Sequence, residues 1–332
     1  MYKIEKLKGL NVPNIIKSAV MLDQGSLDIG DINLTAITSQ FPQWTAFDNT
    51  THLETMARMK NAEVVISNKV ILDEDVIRNN PHLKLICVAA TGVNNVDLDS
   101  AKKAGVAVCN VTGYATPSVV QHVFSLILAL HNNLCDYTDR VANGEWRDAK
   151  HFCLLSSPIT ELQGKTLGII GYGELGKAVE KVAIAFGLTT LIAESVTGKI
   201  QSNRTPFNEV IKKSDILTLH CPLNDKTENL IDAQVLSQMK SSAFIINTAR
   251  GGIVNETDLA HALENKQIGG AALDVLTVEP PVNNILLERQ KHNLIITPHI
   301  AWASQQSRQR LIDEIGINIT AFYNGEKRNR VV

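Results

Sequence analysis

Short apolar runs of strand length recur along the chain from about Leu83 onward, and stretches of helical periodicity separate them. Nearly continuous apolar runs suit the strands of a parallel sheet that is covered on both faces. With helical stretches such as 177–186 and 256–265 between them, the pattern predicts βαβ units and a doubly wound α/β architecture. The predicted strands are Leu85–Val88, Leu167–Ile170, Leu191–Ala193, Ile216–Leu219, Phe244–Ile246, Ala271–Leu273 and Leu294–Ile296.

The front of the chain carries strand candidates of its own, around Ser18–Leu22 and Val64–Ile66. They predict a separate domain ahead of the longer series of strands. Pro117 stands at the first turn of an apolar helix that the periodicity predicts from Ser118 to about Val141. A helix of that length could run between two lobes.

Length and charge fit a globular protein of two domains. With 332 residues the chain exceeds the usual size of one hydrophobic core, and we expect domain boundaries near residues 105 and 297. Apolar residues make up 44% of the chain and its net charge is -2, so it lacks the broad positive field on which non-specific nucleic-acid binding depends. We therefore expect no nucleic-acid partner.

The cysteines and the start of the chain bear on its location. The five cysteines are far apart and form no C-x-x-C pair, which predicts reduced and mostly buried thiols. Met1–Lys6 is charged and lacks the apolar segment of a secretory signal. The most membrane-like stretch, Val119–Leu134, is interrupted by Gln121, His122 and His131 and falls short of a spanning segment. We expect a cytoplasmic protein with no membrane partner.

A G-x-G-x-x-G pattern lies between a predicted strand and a predicted helix. Its residues are Gly171, Tyr172, Gly173, Glu174, Leu175 and Gly176. In this context the pattern predicts a dinucleotide-binding turn, whose glycines let the backbone approach a pyrophosphate. The N–H groups and the dipole at the start of the helix favour that anion. The alternative is an ordinary strand–turn–helix that binds no cofactor.

A carboxylate closes the next predicted strand. Glu194 stands where it would bind the ribose hydroxyls of the adenosine and repel a 2′-phosphate, so NAD is expected over NADP. Lys199 and Arg204 lie downstream and could weaken that preference.

Residues suited to catalysis follow three predicted strands, and ligands of open α/β sheets collect beyond the carboxyl ends of strands. Reduction of a carbonyl by hydride needs a proton donor, and a histidine that titrates near neutrality suits this role. We expect His299 to be that acid. Glu279 would orient it and favour its charged form, and Arg250 would bind a carboxylate through its planar fork of donors.

Each of these residues also has a structural interpretation. A lone histidine is more often structural than catalytic, arginines are common on surfaces, and Glu279 could only begin a turn. Their occurrence together, downstream of a dinucleotide motif, favours catalysis.

From about Leu83 to Trp302 the chain resembles the D-isomer-specific 2-hydroxyacid dehydrogenase family. The segments that carry the resemblance are 164–173, Leu219-His220-Cys221-Pro222-Leu223, Asn247-Thr248-Ala249-Arg250-Gly251 and Thr297-Pro298-His299-Ile300-Ala301. The resemblance implies an NAD-dependent oxidoreductase that acts on a small 2-hydroxy or 2-oxo acid and works as a homodimer. It implies catalytic roles for Arg250, Glu279 and His299.

The resemblance also implies a domain arrangement and a set of cofactor contacts. Residues 1–104 and 297–332 would form a flavodoxin-like substrate domain, into which a Rossmann-type NAD domain of residues 105–296 is inserted. The implied cofactor contacts are Cys221 and Pro222 on the adenine side and Thr248 and Asp274 at the nicotinamide end, with Ala249 as a further cofactor contact.

Substrate contacts are implied at two further places. The loop from Thr91 through Gly92 and Val93 resembles the family's substrate loop, whose backbone amides hold the carboxylate, although such residues also occur in plain turns. Trp302 after His299 resembles the branch of glycerate dehydrogenases, or hydroxypyruvate reductases. Its ring would leave a small pocket and could donate one hydrogen bond, which favours a hydroxymethyl substituent.

Three alternatives remain open from the sequence. The same residues could reduce glyoxylate or a bulkier 2-oxo acid, or the chain could be an NAD sensor that recruits partners. Trp146 could either reach the active site of a partner subunit or pack on its own chain.

Overall fold

The computed structural model describes residues 17–195, 203–288 and 292–332. Contacts within the chain divide it into two compact units. The first runs to Ala115 and includes Ala303–Val332, and the second is Thr116–Trp302. Each unit contains one parallel sheet with connecting helices, which is the doubly wound α/β class that the spacing of apolar runs predicts.

The first unit is built on a five-stranded sheet. Its strands are β1 (Ser18–Met21), β2 (Gln43–Ala46), β3 (Val64–Ser67), β4 (Leu85–Val88) and β5 (Ala107–Cys109). They lie in the order β2-β1-β3-β4-β5, and every neighbouring pair is parallel. This is the flavodoxin-like order. All residues of β3 and β4 are buried, as expected for strands covered on both faces.

The described part of the first unit contains five α-helices and a short 3-10 helix at Gln24–Ser26. The α-helices are α1 (Thr35–Thr38), α2 (His52–Met59), α3 (Glu74–Arg78), α4 (Leu98–Lys103) and, after the second unit, α11 (Gln305–Tyr323). Side chains at the N-termini of three of them accept hydrogen bonds from backbone N–H groups that have no partner within the helix. These N-cap residues are Asp73, Asp97 and Ser304. The C-terminal α11 contacts α1 and β4, so it completes this unit.

The second unit is built on a six-stranded sheet. Its strands are β6 (Thr166–Ile170), β7 (Thr189–Ile192), β8 (Ile216–Leu219), β9 (Phe244–Asn247), β10 (Gly270–Leu273) and β11 (Leu294–Ile296). They lie in the order β7-β6-β8-β9-β10-β11 and are parallel throughout. Beyond β7, a single parallel bridge joins Ala193 to Thr205. That bridge stands in the place of the third strand of a Rossmann sheet.

The helices of the second unit are α5 (Thr116–His131), α6 (Leu134–Ala142), α7 (Glu174–Ala185), α8 (Phe207–Lys213), α9 (Ala233–Leu236) and α10 (Glu256–Glu264). The prediction of one helix over 118–141 is wrong, because α5 and α6 are separated at Asn133, which has a φ of 48°. Asparagine tolerates this left-handed conformation better than most residues. Its side-chain amide also donates to the carbonyl of Pro158.

The units divide at positions that differ from the predicted boundaries. Residues 105–115 lie in the first unit, because β5 pairs with β4 there. Residues 297–302 lie in the second unit, where their backbone is hydrogen-bonded to Asp274 after β10.

Two findings concern the membrane and the start of the chain. Within 17–195, 203–288 and 292–332, no helix has both the length and the apolar character needed to cross a bilayer. Met1–Lys6, on which the expected cytoplasmic location depends, lies outside the described residues.

Candidate active site

The glycine-rich turn follows β6 and leads into α7. Gly171 has a φ of 90°, and a Cβ there would lie 2.4 Å from the backbone carbon of His220. A Cβ on Gly176 would lie 2.3 Å from the carbonyl oxygen of Gly171. Around Gly173 the space is open, with no described atom within 4 Å of where its Cβ would stand. Two glycines therefore permit close packing, and the middle one leaves room for a ligand.

The turn places the start of α7 beside that open space. Gly173 is the N-cap of this twelve-residue helix. It has no side chain that could accept a hydrogen bond from the first N–H groups of the helix. Glu174 and Leu175 form the first turn, and the Glu174 carboxylate accepts a hydrogen bond of 2.5 Å from Thr116 Oγ1. The arrangement fits a pyrophosphate, because helix N-termini favour anions.

A pocket of about 260 Å³ lies beside this turn. Its lining includes Gly171, Tyr172, Glu194, Arg204, Cys221 and Pro222. It therefore brings together the carboxylate and the two residues that the sequence analysis assigned to the adenosine side. Burial raises the pKa of the Cys221 thiol to about 11, so this part of the wall is uncharged.

Tyr172 organises the charged part of that pocket. Its hydroxyl donates to Glu180, which also accepts 2.9 Å from Thr190 Oγ1. The Arg204 guanidinium lies over the Tyr172 ring, 4.5 Å from its centroid. Cation–π contact thus holds a positive group in the same pocket as Glu194. Lys199, the other predicted cation, lies outside the described residues.

At the carboxyl end of β9, a buried hydroxyl is left without a partner. Thr248 is 8% exposed, and its Oγ1 makes no hydrogen bond within the described part of the chain. The neighbouring Ala249 is buried, and its N–H donates 3.0 Å to Asn247 Oδ1. Buried polar atoms are nearly always satisfied, so the Thr248 hydroxyl fits a group supplied by a ligand. The open space at the glycine turn and the unpaired Thr248 hydroxyl together suit a dinucleotide.

Asp274, which follows β10, is a buried carboxylate that accepts several hydrogen bonds. It is 1% exposed and accepts from Thr297 Oγ1 at 2.5 Å, from the Ile300 N–H at 2.9 Å and from the Ala301 N–H at 2.8 Å. Burial alone would raise its pKa, but the hydrogen bonds from His122, Thr297 and these amides outweigh burial, and the pKa lies below its ordinary value. Asp274 is therefore held as an anion.

His299 stands in the turn that Asp274 holds. Its N–H donates 2.8 Å to the Asp274 carbonyl, and its φ is 55°. The imidazole Nδ1 lies 2.6 Å from Glu279 Oε2, and Glu279 Oε1 accepts 2.9 Å from the Leu276 N–H. Because Glu279 is itself fixed to the backbone, it orients the imidazole and leaves Nε2 outside this contact.

Arg250 follows β9 in a loop that is held by hydrogen bonds between its own residues. Asn247 Nδ2 donates 2.9 Å to the Arg250 carbonyl, and Arg250 Nη1 donates 2.7 Å to the Ala249 carbonyl. The residue is exposed to solvent. Its guanidinium therefore has further donors for a carboxylate.

The substrate residues predicted from the resemblance have two different placements. Thr91, Gly92 and Val93 follow β4 in the first unit, where Thr91 Oγ1 donates 2.9 Å to the Val111 carbonyl. Trp302 belongs to the second unit, and its indole N–H donates 2.9 Å to the His299 carbonyl. The Trp302 N–H, which was expected to donate a hydrogen bond to the substrate, therefore donates within the turn instead.

Two residues of the site, His122 and Thr297, were given no role of their own from the sequence. His122 Nε2 lies 2.9 Å from Thr297 Oγ1 and 3.4 Å from Asp274 Oδ1. In the sequence, His122 interrupts an apolar helix, and Thr297 directly follows an apolar run. A polar residue at such a place is a signal that the sequence offers. The contact between His122 and Thr297, which are 175 positions apart, has no signal in the sequence.

Comparisons with known proteins identify the family of this chain. The family model described as "D-isomer specific 2-hydroxyacid dehydrogenase, NAD binding domain" matches residues 124–301. A putative 2-hydroxyacid dehydrogenase of Haemophilus influenzae is 44% identical over 283 residues, which are 84% of this chain and 90% of that protein. A glycerate dehydrogenase of Methylorubrum extorquens is 41% identical over 318 residues, which are 95% of this chain and 99% of that protein.

A solved structure extends the agreement to the fold. The crystal structure of a D-lactate dehydrogenase from Aquifex aeolicus, complexed with NAD and lactic acid, matches with a TM-score of 0.77 and 28% identity. The match covers 93% of this chain and 96% of that one. With a family model over more than half of the chain and relatives over most of it, the chain belongs to the D-isomer specific 2-hydroxyacid dehydrogenase family and is an NAD-dependent oxidoreductase of 2-hydroxy acids.

Proposed function

We propose that this protein reduces hydroxypyruvate to D-glycerate with NADH. The observation that carries the proposal is the contact of 2.6 Å between His299 Nδ1 and Glu279 Oε2 in a turn held by the buried Asp274. A histidine oriented by a carboxylate is the proton donor that carbonyl reduction needs. Similarity to the glycerate dehydrogenase of Methylorubrum extorquens supports the choice of substrate.

Three residues of the chain have separate roles in the proposed reaction. NADH, when bound, supplies the hydride that forms the new C–H bond at C2 of the oxo acid. His299 gives the proton on Nε2 to the C2 oxygen as its negative charge develops, and Glu279 holds the imidazole through Nδ1 during that transfer. Arg250 binds the substrate carboxylate and polarises the adjacent carbonyl. The exposed position of Arg250 supports this role.

The cofactor would be held by residues of the second unit. The open space at Gly173 and the N-terminus of α7 would take the pyrophosphate. Glu194 would bind the ribose hydroxyls of the adenosine, and Thr248 would satisfy its buried hydroxyl on the nicotinamide end. The predicted carboxylate contacts at Thr91, Gly92 and Val93 stay a prediction, as does a cytoplasmic location.

We also propose that the protein is a homodimer. Large apolar side chains lie exposed along the segment that follows α6: Trp146 is 52% exposed, Leu155 84% and Phe152 90%. The Trp146 indole N–H donates 2.9 Å to the Phe152 carbonyl, so the segment has an ordered local contact while its apolar faces remain uncovered. Apolar surface of this kind marks association sites, and the occupant proposed is a second copy of this chain.

The substrate assignment predicts an order of preference among 2-oxo acids. Hydroxypyruvate should exceed phenylpyruvate and 2-oxoisocaproate in kcat/KM by at least about tenfold, because Trp302 limits the space for larger substituents. Rates are measured at fixed NADH with each oxo acid varied, and glyoxylate is included in the panel. Faster reduction of phenylpyruvate or of glyoxylate would reject hydroxypyruvate as the preferred substrate. Chiral analysis should find only the D product.

Replacing the proposed acid should affect chemistry and leave cofactor binding intact. His299→Ala should reduce kcat by about 100-fold or more, because the proton donor acts in the transition state. The dissociation constant of NADH, measured by fluorescence titration, should stay near that of the wild type. His261→Ala on the exposed side of α10 is the control and should keep full activity. A His299→Ala enzyme with most of its kcat would remove His299 from the mechanism.

Glu194 should determine the choice between the two dinucleotides. The wild type should prefer NADH, because the carboxylate repels the 2′-phosphate of NADPH. Glu194→Ala should raise the ratio of kcat/KM for NADPH to that for NADH by about tenfold or more, since Arg204 stays in the pocket as a partner for the phosphate. Glu228→Ala, at an exposed position, is the control. Equal use of both cofactors by the wild type would contradict the role given to Glu194.

The dimer should depend on the exposed apolar segment. Light scattering at micromolar concentration should give twice the 36.3 kDa of one chain. The double variant Phe152→Asp with Leu155→Asp should give a monomer, because burying two carboxylates in an interface is costly. Val278→Asp changes an exposed apolar residue outside this segment and should leave the dimer intact. A monomeric wild type would end this proposal.

A further inference from the structure

Helix α5 carries two polar side chains on the face that meets the 297–301 turn. Ser118 and His122 are four residues apart, so they lie on one face of the helix. Ser118 Oγ donates 2.7 Å to the Ala301 carbonyl at the end of the turn. His122 Nε2 lies 2.9 Å from Thr297 Oγ1 at its start. One helix face therefore holds both ends of the turn that contains His299.

The hydrogen bonds at the start of the turn have a defined direction. The Thr297 hydroxyl has one hydrogen, which it donates to Asp274 Oδ1 at 2.5 Å. It must then accept from His122, so the His122 Nε2 carries a hydrogen. That N–H also lies 3.4 Å from Asp274 Oδ1. His122, Thr297 and Asp274 thus form a chain of donors that ends on a buried carboxylate.

The turn needs such support, because His299 has a left-handed backbone with a φ of 55°. Residues other than glycine keep this conformation only where the surroundings hold it. The N–H groups of Ile300 and Ala301 are held by Asp274, and Asp274 is in turn met by Thr297 and His122. A change at His122 reaches His299 through these contacts, although the two side chains have no contact described between them.

We infer that His122 is a positioning residue for the reaction: its Nε2–H holds Thr297 and Asp274, and through them the backbone that aims the His299 imidazole. This inference rests on the proposed reduction of a 2-oxo acid. The hydrogen-bond donor is the property that matters, and the size of the side chain is secondary. Removal of the donor therefore affects catalysis more than substrate binding.

The test compares three variants of α5. His122→Leu removes the donor, and His122→Gln keeps an N–H at a similar distance from the backbone. His131→Leu is the matched control, because His131 is a buried histidine on the same helix that also bonds a threonine, Thr160, at 2.7 Å. Melting temperature, NADH affinity, kcat and KM are measured for each variant. The substrate is the 2-oxo acid that the wild type reduces fastest.

We expect His122→Leu to lower kcat by about tenfold to a hundredfold, as a small misplacement of a catalytic group does, while KM changes by less than about threefold. His122→Gln should restore kcat to within about threefold of the wild type, because it keeps the N–H donor. His131→Leu should lower the melting temperature and leave kcat unchanged. A His122→Leu enzyme with wild-type kcat would overturn the inference. So would a His122→Gln enzyme as slow as His122→Leu.

Hydrogen exchange gives a readout that does not depend on activity. In the chain without cofactor, the peptide that covers residues 297–302 should exchange faster in His122→Leu than in the wild type, because the Ile300 and Ala301 amides lose their support. His122→Gln and His131→Leu should exchange in that peptide as the wild type does. Unchanged exchange in His122→Leu would overturn the inference. If the wild type reduces no 2-oxo acid, the proposed function fails and the exchange result still decides whether His122 holds the turn.

Discussion

A buried negative charge at the end of β10 is the constraint on which the candidate site depends. Asp274 is 1% exposed, and an isolated carboxylate at such a position would take up a proton and lose its charge. It stays ionised because four donors converge on it, two of them backbone N–H groups of the turn after β11. The cost of burying the charge is thus offset only when the turn is in place. The carboxylate and the conformation of His299 stabilise each other.

The cofactor end of the site depends on a different constraint, which is that two positions of the turn, Gly171 and Gly176, have no space for a side chain. Gly171 passes so close to the His220 backbone that a Cβ would overlap it, and Gly176 does the same against Gly171. These contacts bring α7 close against the sheet and direct its N-terminus to the carboxyl edge. At the same edge, Thr248 and Asp274 directly follow two neighbouring strands. Packing at the glycines and charge at Asp274 therefore act on one edge of the sheet.

Much of this organisation could be predicted from the sequence, and the exceptions have physical causes. The inner strands of the second unit, such as β8 and β10, are apolar because they are covered on both faces, so a count of apolar runs finds them. The strand β2 (Gln43–Ala46) lies at an edge and is partly exposed, which leaves it without an apolar run. The break at Asn133 was missed because the apolar pattern does not report a single left-handed residue.

The same reasoning applies to the site. The pairing of Glu279 with His299 was expected from chemistry, since each follows a predicted strand and parallel strands end at one edge. The use of the Trp302 N–H within the turn, and the contact of His122 with Thr297, depend on side-chain directions that no pattern of residue types contains. Predictions from spacing therefore brought Glu279 and His299 together and missed the contacts that Trp302 and His122 make.

The division of the chain has a consequence for the order in which it can fold during synthesis. The second unit is continuous in sequence, from Thr116 to Trp302, so every residue of its sheet has been made once the ribosome reaches its last strand. The first unit begins earlier but packs α1 and β4 against α11, which is made after all of the second unit. The part of the protein that is translated first must therefore be the last to complete its core.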